Sequence, residues 1–256
     1  FTVDEEVGMD GAFALDCSDL KGRKLLNLDS EIEGVFTVSC AGGMRADCHL
    51  PGIMEPVAGM AGYSITLAGL QGGHSGGDIH LGRASANQVM GRVLYSAMER
   101  FRGLRLAAVS GGQFDNVICS RCDAAVAIPA GKEAEFEAFI AEFDAILKNE
   151  YAGCDDGITL KCAKADVTSA VSEAVTNTML HTLLALPQGV QAMSVDFPGL
   201  TQTSLNMGVL KLEDDGLHIT FSIRSSIASQ KEMLAQRVHA IVEFAGGTVT
   251  ERGKYP

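Results

Sequence analysis

The stretch SLNMGVLKLEDDGLHITFSIR, residues 204–224, decides the fold predicted for this chain. Apolar and polar residues alternate on both sides of an acidic turn, which is the pattern of two antiparallel strands that bury one face of a sheet. We therefore predict a β-hairpin whose apolar face points into a core. The side chains expected to face this core are Leu205, Met207, Val209, Leu217, Ile219, Phe221 and Ile223.

The turn of this hairpin sets the register of its two strands. A three-residue loop over 214–216, with its glycine in the left-handed conformation, pairs Glu213 with Leu217. That register places Asn206 directly opposite Arg224 on the polar face. An arginine beside an asparagine suits a carboxylate ligand, because a guanidinium binds a carboxylate through two hydrogen bonds. A solvated strand arginine is the alternative, and the hairpin by itself leaves both open.

Helical and strand periodicities alternate along the rest of residues 62–252. This order predicts an α+β domain, an antiparallel sheet with helices on one face. Ser229 and Glu232 form a capping box at the start of the fourth helix. Helices are predicted over 85–101, 132–148, 170–186 and 230–245. Further strands are predicted over 62–69, 104–110, 123–128, 157–163 and 248–252.

Composition excludes several classes of partner. The 256 residues carry a net charge of −12, so no basic field exists that could replace the counterions of a nucleic acid or bind an anionic membrane surface. No apolar run reaches the roughly 20 residues of a transmembrane helix. Seven cysteines at irregular spacing indicate reduced thiols and a cytoplasmic location.

A glycine-rich loop, GGHSGG at 72–77, surrounds His74. Four glycines around one histidine indicate a sharp turn with positive φ or a close approach of the backbone to another group. A histidine on such a loop is accessible for chemistry. A glycine-rich turn with an uninvolved histidine is the alternative, and the loop alone does not decide between them.

Carboxylates follow two short strands predicted near the start of the chain. Glu5 and Glu6 come directly after residues 1–3, and Asp29 follows residues 25–28. Open α/β sheets bind ligands at such strand ends. One glutamate could be a metal ligand while the other is a general base, with the aspartate as a further ligand, although a solvated acidic turn is equally consistent.

Further features of residues 1–61 concern a third strand, one histidine and the boundary between two domains. A third strand is predicted over 34–40, and His49 is placed in a loop without a role. A proline- and glycine-rich stretch at 51–61 is predicted to separate an α/β domain remnant, residues 1–55, from the α+β domain, residues 56–252. The chain begins FTVDEE without a methionine, and we interpret it as part of a longer protein.

Several motifs in a fixed order carry a resemblance to a known family. The chain resembles the aminoacyl-histidine dipeptidases, members of the di-zinc metallopeptidase superfamily that also holds the aminoacylases and carboxypeptidase G. The resemblance covers essentially the whole chain, and the long glycine–histidine block is its most specific part. The motifs are D-E-E at 4–6, G-M-D-G-A at 8–12, N-L-D-S-E at 27–31, C-A-G-G at 40–43, G-G-H-S-G-G-D-I-H-L-G at 72–82, A-N at 86–87, N-V-I at 116–118, T-S-L-N-M-G-V at 203–209 and I-R-S at 223–225.

The resemblance implies a role for each matching residue. Glu5 matches the general base, whereas Glu6 and Asp29 each match a ligand of one of two zinc ions. His74 matches a lid-domain histidine that stabilises the oxyanion of the scissile carbonyl. Asn116 and Arg224 match lid residues that hold the substrate, the arginine through the substrate carboxylate. We add Asn206 to the substrate-binding set because of its predicted place beside the arginine.

The resemblance also implies domains, an activity and partners. Residues 1–55 would be a partial catalytic zinc-peptidase domain, residues 56–252 a lid domain for dimerisation and substrate binding, and residues 253–256 the start of a return to the catalytic domain. The implied activity is hydrolysis of Xaa-His dipeptides with two divalent metal ions, zinc first and manganese or cobalt as alternatives, in a cytoplasmic homodimer.

The chain departs from the family pattern in one important respect. The family's first metal histidine, its bridging aspartate and its last metal histidine would lie beyond the two ends of this sequence, and Cys119 stands where proline is common. We therefore expect the chain by itself to be metal-poor and inactive. The alternatives are a non-catalytic dimerisation and substrate-gripping module, or a tripeptidase or deacylase of the same superfamily.

Overall fold

The computed structural model describes residues 10–24, 26 and 33–256, and it comprises two compact units, residues 1–40 and 41–256. In the described part of the first unit, one helical turn, α1, spans Asp10–Phe13. The strand predicted over 34–40 is wrong, since these residues form a turn and irregular backbone with Phe36 and Val38 almost fully exposed. Alternating apolar residues form a strand only where a neighbouring strand supplies hydrogen bonds and a core.

The second unit contains thirteen strands and four helices. The strands are β1 Gly42–Pro51, β2 Met54–Pro56, β3 Met60–Ala68, β4 Gly73–His74, β5 Arg105–Gly111, β6 Val117–Ile118, β7 Cys122–Pro129, β8 Thr159–Lys164, β9 Ser169–Val171, β10 Gly189–Met193, β11 Thr201–Glu213, β12 Gly216–Ser225 and β13 Thr248–Tyr255. The helices are α2 Ala86–Arg100, α3 Glu133–Glu150, α4 Glu173–Ala185 and α5 Ala228–Phe244, and a 3₁₀ turn spans Ile79–Leu81.

One large antiparallel sheet organises this unit. Eight of its nine strands follow the order β13-β1-β12-β11-β5-β7-β3-β8, and β10 pairs with β11. Helices α2 and α4 pack on each other, α3 packs on β8, and α5 packs on β1, β12 and β13. The apolar side chains of strands and helices form one core cluster. The predicted α+β domain with an antiparallel sheet is therefore confirmed.

The first strand of this sheet lies before the domain boundary expected from the sequence. β1 pairs with both β12 and β13, so the compact unit begins at Ala41. Residues 51–61 contain β2, which pairs with β9 in the same unit. The assignment of residues 1–55 to a catalytic domain stays a prediction.

The hairpin that decides the fold forms, but its turn is shorter than predicted. Glu213 pairs with Gly216 around a two-residue turn, and a β-bulge lies between Met207 and Val209. The bulge reverses the alternation, so that Leu210 is fully buried and Val209 is not. The predicted pairing of Glu213 with Leu217 and the predicted core position of Val209 are therefore wrong.

A close approach of another loop explains the position of this bulge. A Cβ atom added to Gly208 would lie 2.5 Å from Asp115 Cα and 2.6 Å from Phe114 O, so only glycine fits there. The bulge turns the strand under this loop. Together, the shorter turn and the bulge pair Asn206 with Ser222 instead of Arg224.

Two predicted helix starts are also corrected. α5 begins at Ala228, so Ser229 and Glu232 lie inside the helix and do not form a capping box. Ser225 Oγ instead accepts a hydrogen bond of 3.0 Å from the N–H of Ile227. α4 begins at Glu173 rather than 170 because the preceding residues form β9.

Two further features bear on the classes of partner. Within the described part of the chain, no helix is both long enough and apolar enough to cross a membrane. All seven cysteines are free thiols, and Cys48, Cys119 and Cys122 are buried.

The buried side-chain amide of Asn87 connects α2 to the neighbouring strands β5 and β11. Its Nδ2 donates to the carbonyls of Gly111 at 3.2 Å and Met207 at 3.0 Å. Asn87→Ala leaves both carbonyls without this donor in a site closed to water. We expect a loss of about 1–3 kcal/mol in the free energy of unfolding, measured by urea titration.

The control for this variant is Gln88→Ala, which changes an exposed neighbour on the same helix. We expect this change to cost less than about 0.5 kcal/mol. Equal small losses in the two variants would contradict a structural role for Asn87.

Candidate functional site

The glycine-rich loop places His74 in a two-residue strand. Gly73 and His74 of β4 pair with Ile118 and Val117 of β6. The N–H of Ser75 donates to the carbonyl of Asn116 at 2.8 Å. Two residues that the sequence placed in the candidate site are therefore brought side by side by backbone hydrogen bonds.

The imidazole of His74 is held as a neutral hydrogen-bond donor. Its Nδ1 accepts hydrogen bonds from the backbone N–H groups of Gly77 at 3.0 Å and Gly76 at 3.3 Å. A nitrogen that accepts carries no proton, so the proton of the neutral ring lies on Nε2. The His74 side chain is exposed, and Nε2 forms no hydrogen bond with a described residue.

The surroundings of His74 favour this neutral form. Partial burial lowers its pKa below the ordinary histidine value, and the positive charge of Arg224 lowers it further. The carboxylate of Asp78 acts in the opposite direction and is the weakest of the three effects. A neutral ring with a free Nε2–H can donate to an oxygen that becomes negative during a reaction.

Arg224 of β12 lies beside His74. A Cβ atom added to Gly76 would be 3.0 Å from His74 Cε1 and 3.4 Å from Arg224 Cζ, so the two side chains flank this glycine. Nε of Arg224 is buried without a hydrogen-bond partner, and no carboxylate of the described residues pairs with the guanidinium. A half-buried cation without a partner is suited to bind an anionic ligand.

The side chain of Asn206 holds the backbone around Asn116 in place. Its Nδ2 donates to the carbonyls of Asp115 at 2.9 Å and Val117 at 2.8 Å, and its Oδ1 accepts from Gln188 Nε2 at 3.2 Å. The residue is only 1% exposed. These bonds fix the backbone on both sides of Asn116, so the described contacts make Asn206 a positioning residue.

The loop that carries Asn116 is also held by charge. Asp115 forms an ion pair with Arg45 of β1, and its carboxylate lies 3.7 Å from Arg252 Nη2 of β13. The Asn116 side chain itself is half-buried. The loop is therefore attached to β11 by hydrogen bonds and to the β1–β13 edge by ion pairs.

A buried carboxylate that sequence analysis missed connects the two ends of the His74 loop. Asp155 is fully buried, and it accepts 2.7 Å hydrogen bonds from the N–H of Gln71 and from the N–H of Ala84. Its local sequence, C-D-D-G, looks like an ordinary acidic turn, so no sequence signal distinguishes it. Only the fold shows that this side chain closes a fourteen-residue loop, from Gln71 to Ala84.

The sequence assigns a general base and two metal ligands to the first part of the chain. Glu5, Glu6 and Asp29 lie outside the described residues, so their roles as general base and metal ligands stay predictions. Carboxylate oxygens are suitable donors for zinc, but two of them form an incomplete ligand set.

A different group of potential ligands lies at the far end of β1 and β12. His49, Asp215 and His218 bring ligand atoms within 4.8 Å of one another. The loop predicted for His49 is wrong, because this residue belongs to β1. Within the part of the chain that the structure describes, no other such group of three is formed.

Comparisons with known proteins agree with the resemblance inferred from the motifs. Residues 65–154 match the family described as "Peptidase dimerisation domain" (M20_dimer). The chain is 36% identical over 258 aligned residues to the cytosol non-specific dipeptidase of Escherichia coli (strain K12), which covers all of this chain and 53% of that protein.

A solved structure gives the same result at the level of the fold. The crystal structure of aminoacylhistidine dipeptidase from Vibrio alginolyticus is similar with a TM-score of 0.88 at 35% identity, over 100% of this chain and 52% of that one. The chain is thus homologous to both dipeptidases along its whole length, and it spans about half the length of each.

The proximity of Arg224 to His74 gives a testable pH effect. In Arg224→Gln the repulsion of the protonated imidazole is removed, so the pKa of His74 should rise toward the ordinary histidine value. The rise should be incomplete because burial, the larger cause, remains. The measurement is an NMR titration of the His74 ring. Arg121→Gln, which changes an exposed arginine paired with Asp123, should leave the titration unchanged.

The role of Asp155 is testable by hydrogen exchange. Asp155→Asn replaces one acceptor oxygen by a donor that faces another donor, so the Gln71 and Ala84 amides should exchange faster. We also expect a loss of about 1–3 kcal/mol in the free energy of unfolding. Asp156→Asn, at an exposed neighbour, is the matched control. Unchanged protection of both amides in Asp155→Asn would show that the loop is held by other contacts.

Proposed function

We propose that this chain, a homologue of two dipeptidases along its whole length, forms the substrate-binding and dimerisation part of a metal-dependent dipeptidase. The observation that carries the proposal is the proximity of two side chains, with a third residue beside them. His74 offers an N–H donor, and Arg224 a guanidinium that pairs with no carboxylate of the described residues. Asn116 directly precedes β6 and accepts a hydrogen bond from the N–H of Ser75 through its backbone carbonyl. A dipeptide offers the matching groups, a scissile carbonyl and a C-terminal carboxylate close to it.

The proposed division of roles follows from the charges. The guanidinium of Arg224 binds the substrate carboxylate through charge-assisted hydrogen bonds. His74 donates from Nε2 to the scissile carbonyl oxygen, and this hydrogen bond strengthens as the oxygen becomes negative. Burial and, to a smaller extent, the charge of Arg224 lower the pKa of His74, which favours a neutral histidine that acts as a hydrogen-bond donor.

The metal part of the proposal rests on the resemblance. Glu6 and Asp29 would each hold one of two divalent ions, zinc first and manganese or cobalt as alternatives. When bound, such ions make a water molecule acidic enough to attack the carbonyl. Glu5 would take the proton of this water and pass it to the leaving amine. Because two carboxylates alone bind zinc weakly, we propose that the chain by itself is metal-poor and inactive.

Specificity for a C-terminal histidine is a further part of the proposal. The name of the Vibrio relative supports it, whereas the Escherichia coli relative is named as non-specific. A panel of Xaa-His, Xaa-Ala and tripeptide substrates would separate an Xaa-His dipeptidase from a broad dipeptidase or a tripeptidase. Acylated amino acids in the same panel would detect a deacylase.

The match of residues 65–154 to a dimerisation domain favours a second candidate function for the isolated chain. In this view the polypeptide is a non-catalytic module that dimerises and binds the substrate carboxylate. We further propose that it forms a homodimer through residues 56–252 and that it acts in the cytoplasm. Light scattering of the purified chain tests the dimer. Zinc binding together with dipeptide turnover would exclude the hypothesis of a non-catalytic module.

The roles of the two central side chains predict different kinetic changes in the complete enzyme. His74→Ala should lower kcat by about 100- to 1000-fold with little change in KM, since the donor acts on the transition state. Arg224→Gln should mainly raise KM, because it removes a contact made by both substrate and transition state. Steady-state hydrolysis of a dipeptide measures both.

Arg121→Gln is the control, because its exposed ion pair with Asp123 lies outside the proposed contacts. The proposal fails if His74→Ala retains the full kcat. It also fails if the ratio of the affinity for a dipeptide to the affinity for its C-terminal amide is the same in Arg224→Gln as in the unchanged enzyme. The amide lacks the carboxylate, so this ratio reports the arginine contact directly.

A further inference from the structure

Two histidines face each other at the end of the central strand pair. His49 of β1 and His218 of β12 are directly opposite in the register, and their rings stack with centroids 4.7 Å apart. Opposite residues of antiparallel strands project from the same face, here the polar one. Both side chains are about one-third exposed, at 32% and 38%, so their ring nitrogens can be reached from solvent.

The hairpin turn adds a carboxylate to this pair. Asp215 Oδ1 lies 2.8 Å from His218 Nε2, and Asp215 Oδ2 lies 3.6 Å from His49 Nε2. Two ligand atoms on a tetrahedral zinc ion lie roughly 3.3 Å apart, given bonds of about 2.0 Å. The two observed distances, which involve different oxygens of the carboxylate, lie on either side of this value. The three donor atoms, all within 4.8 Å of one another, are therefore placed for a shared ion.

The neighbouring residues provide charge and space. Glu213 Oε2 lies 4.0 Å from His218 Nε2, so a second carboxylate stands at the rim of the group. A Cβ atom added to Gly216 would lie 2.9 Å from His49 Nε2, and the glycine thus leaves room beside that nitrogen. Two neutral imidazoles with two carboxylates would balance the charge of a divalent ion.

We propose that His49, His218 and Asp215 form a binding site for a divalent transition-metal ion of the zinc class. Imidazole nitrogens and one carboxylate are a ligand set that zinc, cobalt, nickel and copper accept, whereas calcium and magnesium prefer oxygen alone. Binding through His49 Nε2 requires the neutral tautomer with its proton on Nδ1, so the ion replaces the 3.1 Å hydrogen bond from Nε2 to the backbone carbonyl of Asp215. It connects β1 to the β11–β12 turn.

An exposed ion pair explains only part of this arrangement. Asp215 and His218 are three residues apart, and a local pair of this kind needs no third partner. His49 comes from a distant part of the chain, yet its Nε2 is turned toward the same carboxylate. Along β12 the group lies about 20 Å from Arg224, six residues away, so the inference is independent of the proposed peptidase function.

Zinc titration of the chain, stripped of metal with a chelator, tests the site by calorimetry. We expect one saturable site, with affinity reduced at least about tenfold in His49→Gln and in His218→Gln. His239→Gln is the matched control, because this histidine also contacts two carboxylates, Glu243 at 2.8 Å and Glu251 at 3.3 Å, but has no second histidine nearby. It should bind zinc as the unchanged chain does.

Cobalt(II) absorption separates this site from other ligands in the chain. Thiolate ligands give intense charge-transfer bands, whereas a histidine–carboxylate site gives only weak visible bands. Zinc or cobalt held by Glu6, Asp29 or a cysteine would remain in both histidine variants. Urea unfolding of each variant shows whether it is folded, and NMR of the His49 and His218 rings reports contact with cobalt directly.

Three results would overturn the proposal. The first is the absence of saturable zinc binding to the folded chain. The second is binding of unchanged affinity in both His49→Gln and His218→Gln. The third is loss in one histidine variant and not in the other, which would contradict a shared ion.

Discussion

The buried amide of Asn206 is the interaction on which the arrangement of the candidate site depends. It holds the loop around Asn116 against the polar face of the sheet, and that loop in turn pairs with the strand that carries His74. The bulge at Gly208 lets the loop approach this closely. A buried amide with three satisfied hydrogen bonds tolerates little displacement, because any shift leaves polar groups unpaired in a place closed to water.

The positive charge of Arg224 determines the electrostatic environment of the candidate site. The chain carries a net charge of −12, yet the candidate site presents an arginine without a carboxylate partner among the described residues. A half-buried cation is costly unless an anion approaches it. Burial first, and the same positive charge second, lower the pKa of His74, so the arginine that is suited to an anionic ligand also favours the neutral form of its neighbour.

Much of the fold could be predicted because it depends on local periodicity. The apolar stripes of α2 and α3 and the alternation along β12 each depend on residues close in sequence, and these elements lie where the sequence placed them. Two of the failed predictions concern places where a distant segment intervened. The bulge at Gly208 accommodates the loop at 114–115, and α4 starts later than predicted because the residues before it pair with β2 as strand β9.

The sequence by itself determined the antiparallel α+β fold and the homology to dipeptidases, and it singled out His74 and Arg224 as candidate site residues. Periodicity, glycine content and the order of motifs can be recognised from the sequence without knowledge of tertiary contacts. Only the tertiary structure decided that Asn206 and Asp155 hold the site together, because each bonds to backbone groups more than 70 residues away. It also brought His49 to His218, since strand pairing joins residues whose separation in sequence hides their proximity.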